Sequence, residues 1–191
     1  MNGNLTLFDL EEEQEQLSIS KTANTKGYLD VVKAEFIETE SLTWEQLFDG
    51  FDTLYAITYS SGIDFICKVL KKFDRAEIIF GFDEVMSYNL QEIMAYQSKA
   101  IERIKEKSSR NKLDLISRID DGSLRLYTAR KQLSHEKIYV LQANDGRKRV
   151  IMGSANMSHS AFSGTQRENI CYMDSDRAFD WYYGCFTLPL L

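Results

Sequence analysis

The chain of 191 residues is long enough for one domain with a buried core, and 43% hydrophobic and 12% aromatic residues are typical of a globular protein. Its single proline argues against a proline-rich linker between two domains, and no stretch approaches the roughly eighteen apolar residues of a membrane span. Three scattered cysteines without C-x-x-C spacing indicate neither a disulfide framework nor a zinc site, so we expect reduced thiols in a cytoplasmic protein with no membrane partner.

The net charge of −6 argues against a polyanionic partner until its distribution is considered. Residues 1–50 hold three lysines against eleven acids, whereas residues 121–170 hold eight basic residues against four acids. We therefore divide the chain into an acidic leader, residues 1–27, and one folded domain, residues 28–191. The leader is interpreted as a solvated segment, with occupation of a basic site as a phosphate mimic as the alternative.

The first half of the folded domain has the pattern of a β-α-β unit, which implies a parallel strand pair with a right-handed crossover. Before this unit we predict a strand and then a short helix; the helix is capped by Ser41 or Thr43. The predicted elements are a strand at 28–38, a helix at 42–48, a buried strand at 53–59, an amphipathic helix at 63–73 and a second buried strand at 76–81.

The turn between the first buried strand and its helix contains Ser60, Ser61 and Gly62. It lies at the carboxyl end of the strand, which is where α/β sheets place their ligands. Ser60 is therefore a candidate for lining a site. Capping of the following helix by Ser60 or Ser61 is the simpler alternative.

Residues 85–119 have helical spacing with a mixed-sign polar face and a break near 108–111, and residues 124–127 alternate as a strand. Later elements are a short helix at 158–162 capped by Ser158, a strand at 169–173 and a helix at 178–183. His159, on the short helix, has no partner at metal-ligand spacing and is interpreted as a structural or surface residue. The fold class predicted from this order is α/β, with a mixed, largely parallel β-sheet flanked by helices.

The most informative stretch is a predicted hairpin. Residues 134–141 form its first strand, Asn144-Asp145-Gly146 supply the turn, and the second strand ends near Gly153. His135 and Lys137 lie two apart, so on a strand both side chains leave the same face. Ser154 and Asn156 have the same spacing after the second strand, and the hairpin brings the two pairs together. An imidazole, an ammonium, a hydroxyl and an amide suit one phosphate group.

This arrangement, H-x-K on one strand and G-S-x-N after the next, resembles the HKD signature of the phospholipase D superfamily. The resemblance extends to residues 166–170, where many members carry an acidic residue that orients the catalytic histidine; here that residue is Glu168. The fuller pattern has an aspartate five residues after the lysine, and this chain has Gln142 there. Several nuclease branches also lack that aspartate, so the departure favours a nuclease over a lipase.

The resemblance implies a role for each residue of the motif. His135 would attack phosphorus to form a phosphohistidine, while Lys137 and Asn156 hold the nonbridging oxygens, Ser154 adds a hydrogen bond and Glu168 orients an imidazole. The chain has one H-x-K motif, and members with one copy complete their active site by homodimerisation. No metal or cofactor is expected. The candidate substrate-binding residues are Ser60, Arg130, Lys131, Arg149 and Arg167.

The function expected from these features is a metal-independent phosphodiesterase, in particular a nuclease that acts on DNA as a homodimer. The basic segment around the motif favours a nucleic acid as the substrate. Two alternatives stay open: a phosphodiesterase of lipids or small molecules, and a noncatalytic nucleic-acid-binding module of a larger assembly. A helicase or a recognition domain is a further possible partner.

Overall fold

The computed structural model describes residues 40–81, 99, 101–106, 114–128 and 134–187. These residues form a six-stranded sheet with helices on both faces. The elements in chain order are α1 (Trp44–Phe48), β1 (Thr53–Thr58), α2 (Ile63–Leu70), β2 (Arg75–Phe80), α3 (Leu115–Asp120), β3 (Leu124–Thr128), β4 (Ile138–Gln142), β5 (Lys148–Gly153), α4 (His159–Phe162), β6 (Ile170–Met173) and α5 (Asp176–Thr187). Residues 101–106 are also helical.

The strand order is β3-β2-β1-β4-β5-β6. The neighbours β1 and β2, and β2 and β3, pair in parallel, while the three other neighbouring pairs are antiparallel. The predicted mixed α/β sheet is confirmed, and it is parallel in one half only. The β-α-β unit is also confirmed, since β1 and β2 pair in parallel and α2 lies between them in the sequence.

Both faces of the sheet are buried, because alternate residues of its strands pack into two separate hydrophobic clusters. Leu54 and Ile78 point into the cluster that contains α1, α2 and α4, whereas Ile57 and Ile79 point into the cluster that contains α5. The apolar α5 side chains that close the second cluster are Phe179, Tyr182 and Phe186.

Local signals placed several elements correctly. Thr43 caps α1 with a complete capping box, in which its hydroxyl accepts from the Gln46 amide and the Gln46 side chain accepts from the Thr43 amide. Ser158 caps α4 by accepting from the amide of Ala161. The predicted hairpin is the antiparallel pair β4–β5, and Gly146 takes a φ of 93° in its turn.

Other predictions fall outside the described residues. They are the strand at 28–38, the boundary between an acidic leader and a folded domain at residue 27, and the helix break at 108–111. Every element named above belongs to one compact unit, Leu42–Leu191.

Candidate active site

Four strand ends meet at one edge of the sheet. Because β1 and β5 run opposite to β4 and β6, the carboxyl ends of the first two strands lie beside the amino ends of the other two. An open cavity of about 580 Å³ lies at this edge. It is lined by Tyr59, Ser60, His135, Lys137, Gly153, Ser154, Asn156 and Asn169.

His135 and Lys137 meet in this cavity, although not in the way that the strand spacing predicted. Strand β4 begins at Ile138, so both residues precede the strand instead of lying on it. The Lys137 side chain folds back, with its Nζ 2.8 Å from Nδ1 and 3.2 Å from Nε2 of His135, and donates a hydrogen bond to the His135 carbonyl at 2.6 Å. The imidazole itself is exposed, which makes it accessible to a substrate.

Lys137 is buried, with 6% of its surface exposed. Desolvation of the ammonium lowers the pKa of Lys137, and the negative charge of Glu168 partly opposes that shift. The ring of Tyr59 lies 5.1 Å from Lys137 Nζ and adds a cation–π contact. The site therefore holds a positive charge in a poorly hydrated position, where its attraction to a phosphate oxygen is stronger than at an open surface.

The direction of this shift predicts how catalysis depends on pH. Because the pKa of Lys137 is lowered, its ammonium is present below that value and is lost as the pH rises through it, at a lower pH than for an exposed lysine. We expect kcat/KM to fall on the alkaline side at that pH. The fall should move to higher pH in Lys137→Arg, because a guanidinium stays charged.

Lys148→Arg provides the matched control for the pH profile. Lys148 pairs with Asp176 and Asp180 at the opposite end of β5. An alkaline limb that is identical in Lys137→Arg and in the wild type would show that another group causes it.

Asn156 is oriented by the end of β1. The Ser60 amide donates to Asn156 Oδ1 at 3.1 Å, and since a backbone N–H requires an acceptor, the side-chain NH₂ is left as a donor for another group. Thr58, which is fully buried, joins the same two loops: its hydroxyl donates to the Ser60 carbonyl at 2.7 Å and accepts from the Met157 amide at 2.9 Å. The backbone of the G-S-x-N loop is thus tied to the end of β1.

The hydroxyl of Tyr139 binds the same loop from inside the core. It is buried in the core and donates a 2.7 Å hydrogen bond to the carbonyl of Ala155, which lies between Ser154 and Asn156. Burial raises the pKa of Tyr139, so the phenol stays protonated and keeps this donor.

Ser154 is engaged with the β6 side of the cavity. Its hydroxyl donates to the carboxylate of Glu168 and accepts from the amide of Asn169 at 2.9 Å, while its own amide donates to the Asn169 carbonyl at 2.9 Å. Ser154 therefore holds Glu168 in place. Among the described hydrogen bonds none joins Glu168 to His135, so within one chain this carboxylate acts on the site through its charge near Lys137.

The structure does not bring Arg149 to the cavity. Arg149 lies near the start of β5, at the end of the strand opposite Gly153. Its guanidinium makes two hydrogen bonds to Asp174, at 2.6 and 2.8 Å, and one to the Leu47 carbonyl at 3.0 Å. It also packs against the rings of Phe51 and Tyr172, so its partners are those of a structural residue.

The remaining candidates are distributed as follows. Ser60 lines the cavity through the loop that orients Asn156. Arg167 is exposed and is not among the lining residues. Arg130 and Lys131 lie outside the described residues. Tyr59 and Asn169 were missed, although Tyr59 directly precedes Ser60 in the sequence and Asn169 directly follows Glu168.

Two other properties of the described residues bear on function. They contain no group of three or more histidine, cysteine, aspartate or glutamate side chains placed to hold a metal ion. They also contain no helix that is both long enough and apolar enough to span a membrane.

A mixed sheet flanked by helices, with H-x-K directly before one central strand and G-S-x-N beginning at the end of its neighbour, defines a phospholipase D-like domain. The chain belongs to the family described as the NgoFVII restriction endonuclease N-terminal PLD domain, whose profile matches residues 88–187.

The fold is similar to the crystal structure of the yeast tyrosyl-DNA phosphodiesterase, with a TM-score of 0.43 and 12% sequence identity. The similarity covers 73% of this chain and 30% of the other protein's chain. Comparison with curated proteins gave no match.

Proposed function

We propose that this chain is the catalytic domain of a nuclease that cleaves phosphodiester bonds in DNA through a phosphohistidine at His135. The observation that carries the proposal is the convergence of an exposed imidazole, a buried ammonium and an oriented amide on one open cavity. Membership of a family named for a restriction endonuclease supports DNA as the substrate. The excess of basic residues in the segment that carries the motif supports it as well.

The proposed reaction has two displacements at phosphorus. A neutral His135 nitrogen attacks, the bond from phosphorus to the leaving oxygen breaks, and a second imidazole gives that oxygen a proton. The second imidazole, now neutral, then takes a proton from water as the water oxygen attacks phosphorus and the P–N bond breaks. Lys137 and the NH₂ group of Asn156 hold the nonbridging oxygens through both steps.

One chain provides a single imidazole for this scheme. The only other histidine, His159, lies on α4 and is not among the residues that line the cavity. The second imidazole is therefore His135 of a twin subunit, which places the complete site on a twofold axis. The exposed position of His135 and the openness of the cavity are what such an arrangement needs.

The test is cleavage of supercoiled and linear DNA by the purified chain, with EDTA present throughout. The expected result is cleavage that resists EDTA, together with a protein-linked phosphorus that is stable in alkali and labile in acid, as a phosphohistidine is. Release of head groups from phosphatidyl lipids without DNA cleavage would favour a lipid phosphodiesterase. Binding of DNA without turnover would favour a noncatalytic module.

Mixing subunits tests the composite site separately. If each site uses His135 from both subunits, a heterodimer of wild type and His135→Ala is inactive, and an equal mixture after subunit exchange retains about a quarter of the wild-type activity. Independent sites would retain about half. His159→Ala is the matched partner for the control mixture, which should keep full activity. A linear dependence of activity on the wild-type fraction would contradict the dimeric site.

A further inference from the structure

Tyr59 contacts both residues of the H-x-K motif. It directly follows β1, and its half-buried side chain lines the cavity. The centroid of its ring is 4.3 Å from that of the His135 imidazole, with 53° between the planes, and 5.1 Å from Lys137 Nζ. One aromatic ring is thus in contact with the nucleophile and with the ammonium beside it.

The backbone at Tyr59 is held on both sides. Thr58, before it, is fully buried and hydrogen bonded to the Ser60 carbonyl and the Met157 amide. Ser60, after it, donates its amide to Asn156. The backbone that carries the Tyr59 ring is therefore fixed in position. The hydrogen bonds that fix it belong to the network that orients the side-chain amide of Asn156.

Gly81 allows the motif to approach this ring. A Cβ atom on Gly81 would lie 2.1 Å from the Ser134 carbonyl oxygen and 3.2 Å from the Cα of Tyr59. Only a residue without a side chain fits between these two backbones. Gly81, directly after β2, thus lets the segment that carries His135 pack directly against the segment that carries Tyr59.

We propose that Tyr59 is a positioning residue that orients His135 and stabilises positive charge on His135 and Lys137; this inference rests on the proposed function. The face of an aromatic ring is electron-rich and attracts cations. His135 gains positive charge when its nitrogen bonds to phosphorus or takes a proton, so the contact strengthens along the reaction. Interactions that strengthen toward the transition state raise kcat more than they lower KM. The ring supplies the effect, and the hydroxyl is not required.

Two variants separate the ring from the hydroxyl. Tyr59→Phe keeps the ring and should retain kcat within about twofold. Tyr59→Leu keeps an apolar side chain without a π face and should lower kcat about 5- to 30-fold, with KM changed less than about twofold. An unchanged kcat in Tyr59→Leu overturns the proposal. A raised KM with unchanged kcat overturns it too, and would indicate a platform for stacking a substrate base.

Proton NMR of the histidine rings gives a readout that does not depend on activity. The chain has two histidines, so comparison with His135→Ala assigns both. The Tyr59 ring current should displace the His135 resonances in the wild type and in Tyr59→Phe, and the displacement should disappear in Tyr59→Leu while the His159 resonances stay unchanged. A His135 signal that is the same in all three proteins overturns the proposal.

The NMR measurement also separates the two proposals. If the chain cleaves no substrate while the ring-current displacement is present, the proposed function fails and the contact stands. If cleavage depends on His135 but no displacement occurs, the proposed function stands and the role of Tyr59 fails. Should Tyr59→Leu not fold, cross-relaxation between the Tyr59 and His135 ring protons in the wild type tests the contact, and its absence overturns the proposal.

Discussion

His135→Ala should lower the rate of DNA cleavage at least about 10⁴-fold. The substitution removes the proposed nucleophile, and in the proposed composite site of two subunits it also removes the general acid, so neither step of that mechanism has a group to perform it. The imidazole is exposed, so its removal leaves no cavity in the core and the free energy of unfolding should change by less than about 1 kcal/mol. A single-turnover assay of labelled DNA in EDTA, with urea unfolding of the same preparations, measures both quantities.

His159→Ala is the matched control, because it removes the other histidine from an exposed position on α4. Its cleavage rate should stay within about twofold of the wild-type rate. Cleavage by His135→Ala at more than a tenth of the wild-type rate would rule out the phosphohistidine mechanism. Equal losses in both variants would indicate that the assay reports folding instead of chemistry.

Gly153→Ala should both destabilise the domain and inactivate it. Gly153 ends β5 with a φ of 149°, and a Cβ atom there would lie 1.9 Å from the carbonyl oxygen of Asn169. Backbone strain at a positive φ and overpacking each cost about 1–3 kcal/mol, so we expect a loss of about 2–6 kcal/mol in the free energy of unfolding. Relief of the clash would also displace the neighbouring Ser154 and Asn169, which are hydrogen bonded to each other, and with them Glu168, which accepts from the Ser154 hydroxyl.

Gly164→Ala separates the effect of backbone strain from the effect of the clash with Asn169. Gly164 also has a positive φ, 76°, but nothing lies within 4 Å of a Cβ atom at that position. This variant should therefore lose only the conformational contribution of about 1–2 kcal/mol and retain cleavage. Urea unfolding of both variants gives the comparison. Equal losses of stability would show that the contact with Asn169 contributes nothing.

The membership of the phospholipase D superfamily was predictable from a few residues. Spacing alone selected His135, Lys137, Ser154 and Asn156, and the structure gathers all four around one cavity. The strand pattern misplaced the start of β4, because the predicted strand was extended from the apolar residues 138–141 back to residue 134, whereas the regular pairing begins at Ile138. The contact between the two motif side chains arises from the folding back of Lys137 onto His135 instead of from a shared strand face.

The predicted contacts of individual site residues show where sequence reasoning ends. Arg149 is close to the motif in the sequence, but it lies at the far end of β5, where Asp174 takes its charge. Ser154 lines the cavity where a phosphate would bind, but its hydroxyl is already hydrogen bonded to Glu168 and to the amide of Asn169. The choice of ion-pair partners depends on contacts between residues that are far apart in the chain. The local pattern of the sequence carries little information about such contacts.

The sequence by itself determined the β-α-β unit, the β4–β5 hairpin, the caps at Thr43 and Ser158 and the residues of the motif. These features depend on periodicity, turn chemistry and hydrogen bonds over a few residues, all of which are written locally. Only the tertiary structure decided the strand order and the contact of Tyr59 with His135. It also decided the close approaches that require glycine at positions 81 and 153, because these depend on long-range packing.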